Sequence, residues 1–157
     1  MKQEFTSANT SINSKKLPAI YKMISDLVTE NDNVIDFGCG KYFDNYNLPA
    51  NYHGYDPYNR PNSEELNIKY DVALCSNVLN VIMEKEVRRQ LLEDLKHIAK
   101  RVFITVYEGD KSGKGKKTKE DCYQLNRKHN DYIPELIEVW GSENVIYNKK
   151  GFFECCY

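Results

Sequence analysis

Apolar positions first recur at helical spacing through Leu17, Ile20, Tyr21, Ile24, Leu27 and Val28. They predict a helix after a polar arm over residues 1–13. Ser11 or Ser14 is placed to cap it, and Pro18 stands in a first turn that tolerates proline. Asn31-Asp32-Asn33 interrupts the pattern. Val34-Ile35-Asp36-Phe37 is a short apolar run stopped by glycines, which reads as a buried strand. Lys41 to Tyr46 suggests one short helix, and Tyr52 to Asp56 a second strand. Pro57 to Ser63 is rich in turn residues, and Tyr70 to Asn77 gives a third strand. Over 84–101, Val87, Leu91, Leu95 and Ile98 line one face of the best-defined helix in the chain. Arg101 to Glu108 is a fourth strand. Asp131 to Trp140 reads as a helix with Pro134 in its first turn. Asn144 to Tyr147 and Gly151 to Tyr157 flank Asn148-Lys149-Lys150-Gly151, a hairpin turn.

Strands alternating with helices imply an α/β layer with a mostly parallel sheet, and the terminal hairpin adds antiparallel pairing at its end. With 157 residues the chain is sized for one domain, taken as 14–157, and no internal repeat divides it. Apolar residues at 41% are enough for a core, and a net charge of -1 argues against a disordered chain or one that coats nucleic acid throughout. No apolar run approaches the ~20 residues of a membrane span. The N-terminus lacks an apolar signal-peptide core, so a cytoplasmic location is expected. Cys39, Cys75, Cys122, Cys155 and Cys156 are odd in number and show no C-x-x-C spacing, so reduced thiols are expected rather than disulfides or a metal site.

The chemistry concentrates after the first strand. Val34-Ile35-Asp36-Phe37-Gly38-Cys39-Gly40 places an acid at a strand's carboxyl end, followed by glycines that let backbone approach a ligand. Asp56 ends the second strand at the interval where a carboxylate grips ribose hydroxyls. A pyrophosphate would be repelled by Asp36. A cationic ligand suits it better, and S-adenosylmethionine carries both an ammonium and a sulfonium. A tight turn with no ligand is the plainer alternative for Gly38-Cys39-Gly40, and an ordinary turn acid for Asp56.

These residues carry a resemblance. Asp36-Phe37-Gly38-Cys39-Gly40 resembles the first motif of class I S-adenosylmethionine-dependent methyltransferases. Tyr55-Asp56-Pro57-Tyr58 resembles the acidic end of their second strand, and Tyr70 to Ile82 resembles their fourth motif. The stretches Ser76 to Ile82 and Thr10 to Pro18 resemble small phage-type proteins and those accompanying DNA phosphorothioation systems. The resemblance implies a Rossmann-like sheet with helices on both faces and S-adenosylmethionine as cofactor. It implies cofactor contacts at Asp36, Gly38, Cys39, Gly40, Tyr42, Asp56, Pro57, Tyr58, Ser76 and Asn77. Tyr42 departs from the family, which often has a glycine there. The short stretch from Pro57 to Lys69 also departs, because the family fits a helix and a further strand in it. A truncated region after the second strand is therefore expected, with adenine contacts falling to Asn67 and Ile68.

Methyl transfer by in-line displacement needs alignment more than a general base. Asn77 and Glu108, at strand ends, are the candidate catalytic residues; a cap at Asn77 and a solvated loop acid at Glu108 are the plainer readings. The Asn-Pro-Pro-Tyr motif of exocyclic-amine methyltransferases is absent, as is the Pro-Cys motif of cytosine-C5 enzymes. His53 and His97 read as structural or surface residues. A basic loop at 110–121 holds Lys114, Lys116, Lys117 and Lys119. Together with Tyr123, Arg127 and His129 it suggests a nucleic-acid acceptor, against a merely solvated loop. A small-molecule or protein acceptor, a non-catalytic cofactor-binding module and another nucleotide-binding Rossmann type are the alternatives. Oligomeric state is left open.

Overall fold

The computed structural model describes residues 2–10, 16–148 and 151–157. A six-stranded sheet runs in the order β2-β1-β3-β4-β8-β7. Its strands are β1 (Val34–Phe37), β2 (Tyr52–Tyr55), β3 (Tyr70–Ser76), β4 (Ala99–Thr105), β7 (Val145–Asn148) and β8 (Phe152–Cys156). β1 pairs in parallel with β2 and β3, and β3 with β4, whereas β8 runs antiparallel between β4 and β7. The helices are α1 (Ala19–Met23), α2 (Lys85–Ile98) and α3 (Ile133–Trp140).

Side chains alternate across the sheet and build two cores. Val34, Val72, Leu74, Phe103 and Phe152 pack with Ile20, Tyr21 and Ile24 from the α1 segment. Ile35, Ala73, Cys75, Val102, Ile104 and Phe153 face the other way, against α2 and α3 through Leu92, Leu95, Leu136 and Trp140. Helical segments thus cover both faces, and the Rossmann-like architecture follows the strand–helix alternation of the sequence. Between β2 and β3 the chain makes an isolated Asp56–Arg60 bridge and a 3-10 turn, Ser63–Asn67. That stretch is too short for a strand-and-crossover unit, so β2 is the sheet's edge, and Arg60 Nε caps the edge carbonyl of Gly54 at 3.0 Å.

Three elements differ from the sequence pattern. α1 stops at Met23, and Pro18 is its N-cap rather than a first-turn residue. Ser25 Oγ donates to Lys22 O at 2.9 Å, an alternative to continued helix that short hydroxyl side chains offer. The proposed caps Ser11 and Ser14, and Lys149 and Lys150 of the hairpin turn, lie outside the described residues. The buried face of α2 carries Arg88, Leu92, Leu95 and Ile98, rotated from the face read through Val87 and Leu91. Arg88 is accommodated by Glu135 of α3, whose carboxylate accepts from Nε at 2.9 Å and Nη2 at 2.8 Å. Arg127 adds a third charge at 2.8 Å. The second half of the basic loop is a strand: β5 (Lys116–Lys119) pairs antiparallel with β6 (Cys122–Gln124) in a separate two-stranded sheet. Cys122 and Gln124 of β6 point inward and anchor the hairpin. All five cysteines are free thiols.

Candidate ligand-binding site

The turn after β1 is built on two glycines with positive φ, +85° at Gly38 and +71° at Gly40. Gly38 and Cys39 donate their N–H groups to Tyr55 O at 2.7 and 3.2 Å, which ties the turn to the end of β2. A Cβ on Gly38 would lie 2.4 Å from Val78 Cγ2, so the close passage of the segment after β3 requires glycine.

Asp36 is 3% exposed. The hydroxyl of Tyr21, on α1, donates to its Oδ2 at 2.6 Å. Burial raises its carboxyl to about 6, and the nearby charge of Asp56 adds to the rise, while the Tyr21 hydrogen bond opposes it. Asp56 is also buried, but its carboxylate is already a hub of the fold. Oδ1 accepts from the N–H groups of Tyr58 and Asn59 at 2.9 and 2.8 Å, and Oδ2 from Gly40 N at 3.1 Å. Asn59 Nδ2 adds a longer contact to Oδ1 at 3.3 Å, so Oδ1 is crowded, whereas Oδ2 has a single donor and a lone pair for one more.

Both acids border a cavity of about 880 Å³. Of the residues assigned to the cofactor from sequence, Asp36, Gly38, Cys39, Gly40, Asp56, Pro57, Tyr58, Ser76 and Asn77 line it; Tyr42 does not. At the far end Ser76 Oγ and Thr105 Oγ1 share a hydrogen bond of 3.0 Å. Asn77 takes φ +56° and donates its N–H to Thr105 O at 2.9 Å. Tyr107, Tyr123 and Gln124 complete that end. Gln124 is held by buried Asn80, whose Nδ2 donates to Gln124 Oε1 at 3.1 Å.

No family model matches the chain, and no curated protein matches it. A solved structure that is similar is magnesium protoporphyrin IX methyltransferase from Synechocystis PCC 6803, determined with bound S-adenosylmethionine. The likeness has a TM-score of 0.53 at 16% identity, over 88% of this chain and 76% of that one. The fold is that of a class I methyltransferase.

In this methyltransferase fold several candidates lie off the cavity. Glu108 does not line it. Its Oε2 accepts from His129 N at 3.0 Å, and its Oε1 lies 3.5 Å from Lys111 Nζ and 3.6 Å from His129 Nε2. The His129 backbone N–H, with the Lys111 ammonium nearby, holds Glu108 below the ordinary glutamate range. The ring of His129 packs at Gly151, not toward the ligand space. Arg127 is taken up by Glu135 and the face of Tyr132. Lys114 and Lys117 are exposed, Lys116 pairs with Asp110, and Lys119 donates to Asn9 O. None of the four lysines lines the cavity, whereas Thr118 and Tyr123 of the same hairpin do. Asn67 and Ile68, expected near an adenine ring, also stand away from it. Burial pushes the Cys39 thiol well above its ordinary range, so it stays protonated. Among the described residues no cluster of His, Cys, Asp and Glu is placed to hold a metal ion.

The polar arm expected over residues 1–13 has a role that its sequence does not announce. Gln3, Thr6, Ser7, Ala8 and Thr10 line the cavity. Thr6 N donates to Asp121 Oδ1 at 2.9 Å, and its hydroxyl to Oδ2. Ser7 Oγ donates to Val81 O at 3.0 Å and accepts from Tyr123 N at 3.2 Å. Phe5 stacks on Tyr123 with ring centroids 5.2 Å apart. On the opposite bank Tyr58 OH donates to Gln3 Oε1 at 2.7 Å and Asn59 Nδ2 to Ala8 O at 3.2 Å. The arm is a strap between the turn after β2 and the β5–β6 hairpin. The helical spacing marks Tyr21 only as an apolar position. A tyrosine within a run otherwise aliphatic was the signal for its second use.

Proposed function

We propose that the chain is an S-adenosylmethionine-dependent methyltransferase whose acceptor is a small molecule. The reading is carried by a buried acid, Asp36, facing a space of about 880 Å³ that is bordered by the chain's own arm. Desolvation disfavours the ionised carboxylate, and a ligand ammonium offsets that cost by bringing the opposite charge to it. A pyrophosphate would instead meet Asp36 and Asp56 as like charges. When bound, the cofactor supplies a methyl group on a positively charged sulfur. Asp36 would hold its ammonium, and the remaining acceptor position of Asp56 Oδ2 would take one ribose hydroxyl. Ser76, Thr105, Tyr107 and Gln124 offer uncharged hydrogen-bonding groups on the other side, where they orient an acceptor. Rate then comes from alignment.

The space supports an acceptor beside the cofactor rather than a binding module alone. It is near the upper end of the roughly 300–1,000 Å³ of pockets that enclose drug-sized ligands. The strap across it favours a small acceptor over a polynucleotide. A nucleic-acid acceptor has in its favour the exposed Lys114 and Lys117, which lie outside the cavity lining.

Calorimetric titration with S-adenosylmethionine and with S-adenosylhomocysteine tests the cofactor. Micromolar binding is expected for the wild type, weakened at least ~10-fold in Asp36→Asn, about the loss of one charge-assisted contact. Wild-type affinity in both Asp36→Asn and Asp56→Asn would remove the site. Labelled-methyl transfer then separates acceptors. Uptake into DNA or RNA that is lost in Lys114→Ala/Lys117→Ala would reverse the small-molecule reading.

A further inference from the structure

We infer that Tyr21 is a positioning residue for the ligand's ammonium group, holding the Asp36 carboxylate ionised and aimed at the cavity without touching the ligand itself. The inference rests on the cofactor reading above.

Tyr21 is buried and is not part of the cavity lining, although its α1 neighbours Ala19 and Ile20 are. It reaches the ligand space only through Asp36. The 2.6 Å contact to Oδ2 falls in the range of hydrogen bonds to charged oxygen. Oδ1 accepts from none of the described residues, so one oxygen is fixed by the protein and the other is left to the ligand. The phenol is itself held. Its ring lies against Tyr46 with centroids 6.2 Å apart and against Tyr52 at 6.0 Å.

The groups around Asp36 do not otherwise favour its charge. Asp56 faces it from the end of β2 and repels it. Tyr46 of a second 3-10 turn, Phe43–Tyr46, Cys39 of the glycine turn and Cys75 of β3 are weak acids, each raised further by Asp36. Arg60 is a cation on this side, and its influence falls on Cys39. Lys16 lines the same cavity. Tyr21 is therefore the group that opposes burial and Asp56 together. Without its hydroxyl, Asp36 would take up a proton at a higher pH and lose its hold on a cation there.

The test is the pH dependence of S-adenosylhomocysteine binding, which keeps the ammonium and drops the sulfonium charge. Titrations run from about pH 5 to 7.5, below the ~7.7–8 at which an α-amino group loses its proton. Wild-type affinity is expected to fall as pH drops through about 6, where Asp36 protonates. In Tyr21→Phe, which keeps the ring between Tyr46 and Tyr52, that fall should move up by about one pH unit, the equivalent of one hydrogen bond to a charged group. The two proteins should converge at the alkaline end. A loss of the same factor at every pH, with the fall unmoved, would make Tyr21 merely structural and overturn the inference. Carboxyl NMR titration of Asp36 in the ligand-free proteins decides the Tyr21 part independently, and a midpoint unchanged in Tyr21→Phe overturns it. Absence of S-adenosylhomocysteine binding to the wild type at any pH would instead overturn the cofactor reading, and with it the ammonium's part.

Discussion

At Gly38 two demands meet in one residue, a backbone at φ +85° and a neighbour, Val78, where a methyl group would go. Gly38→Ala should destabilise the fold by about 1–3 kcal/mol, through strain and overlap together. Gly113 has φ +73° but nothing within 4 Å of an added Cβ. Gly113→Ala should cost only the backbone term, about 1–2 kcal/mol. Urea denaturation of both variants checks the contrast, and equal losses would mean that the Val78 contact yields easily. Asp36 makes a second prediction. Its folded carboxyl titrates near 6, above its unfolded value. Its contribution to stability is therefore fully present below the unfolded value of ~3.9 and is lost as pH rises through about 6. Asp36→Asn should accordingly be more stable than the wild type above that window, by an amount on the order of 3 kcal/mol, although it binds ligand worse. A denaturation midpoint no higher than wild type at neutral pH would show that the acid is not costly to the fold. Asp36 and its glycines were legible because strand-then-glycine is a local pattern. Tyr21 was not, since apolar spacing says where a side chain is buried and nothing of where its hydroxyl points.

Helices and strands carry the site by fixing which segments meet beneath it. The Arg88–Glu135–Arg127 group joins α2, α3 and the chain between β6 and α3, with the Arg88 and Glu135 side chains 5% and 10% exposed. Removing Glu135 strands two cations, one of them buried. Glu135→Ala is expected to destabilise by about 3–5 kcal/mol in chemical denaturation, whereas replacing Arg88 and Glu135 together by Met and Leu should recover much of that loss. A single variant near wild type would mean that water reaches the pair. This element was misread for a physical reason. An arginine beside Val87 looks like the polar flank of an amphipathic helix until a carboxylate from another helix is known to cover it. β5 was hidden for the opposite reason, as all four of its residues are exposed and leave no alternation to read. The parallel strands and α2 were legible because each buries enough apolar surface to mark its own period.

On the scale of the whole molecule, the cavity is bordered by residues remote in sequence. Thr6 and Asp121 stand 115 positions apart, and Lys119 and Asn9 stand 110 apart. Thr6→Val removes one hydrogen bond to a carboxylate and keeps the side chain's shape. Chymotryptic cleavage after Phe5 should then accelerate by roughly fivefold, as expected for about 1 kcal/mol, with the rest of the chain intact. An unchanged rate would place the strap's anchorage on the Tyr58 and Asn59 bank. No helix among the described residues is long and apolar enough to cross a membrane.

The strap also sets an order of events in folding. Residues 2–10 leave the ribosome more than a hundred positions before Asp121 and Tyr123, and until the β5–β6 hairpin exists they can reach only the earlier bank, Tyr58, Asn59 and Val81. Contacts of such long separation form late, because the entropy of closing the loop is lost before any contact rewards it. The sheet, turn and acids can assemble first, as an open trough. The ligand space gains its roof last, when the earliest-made segment returns to the latest-made bank.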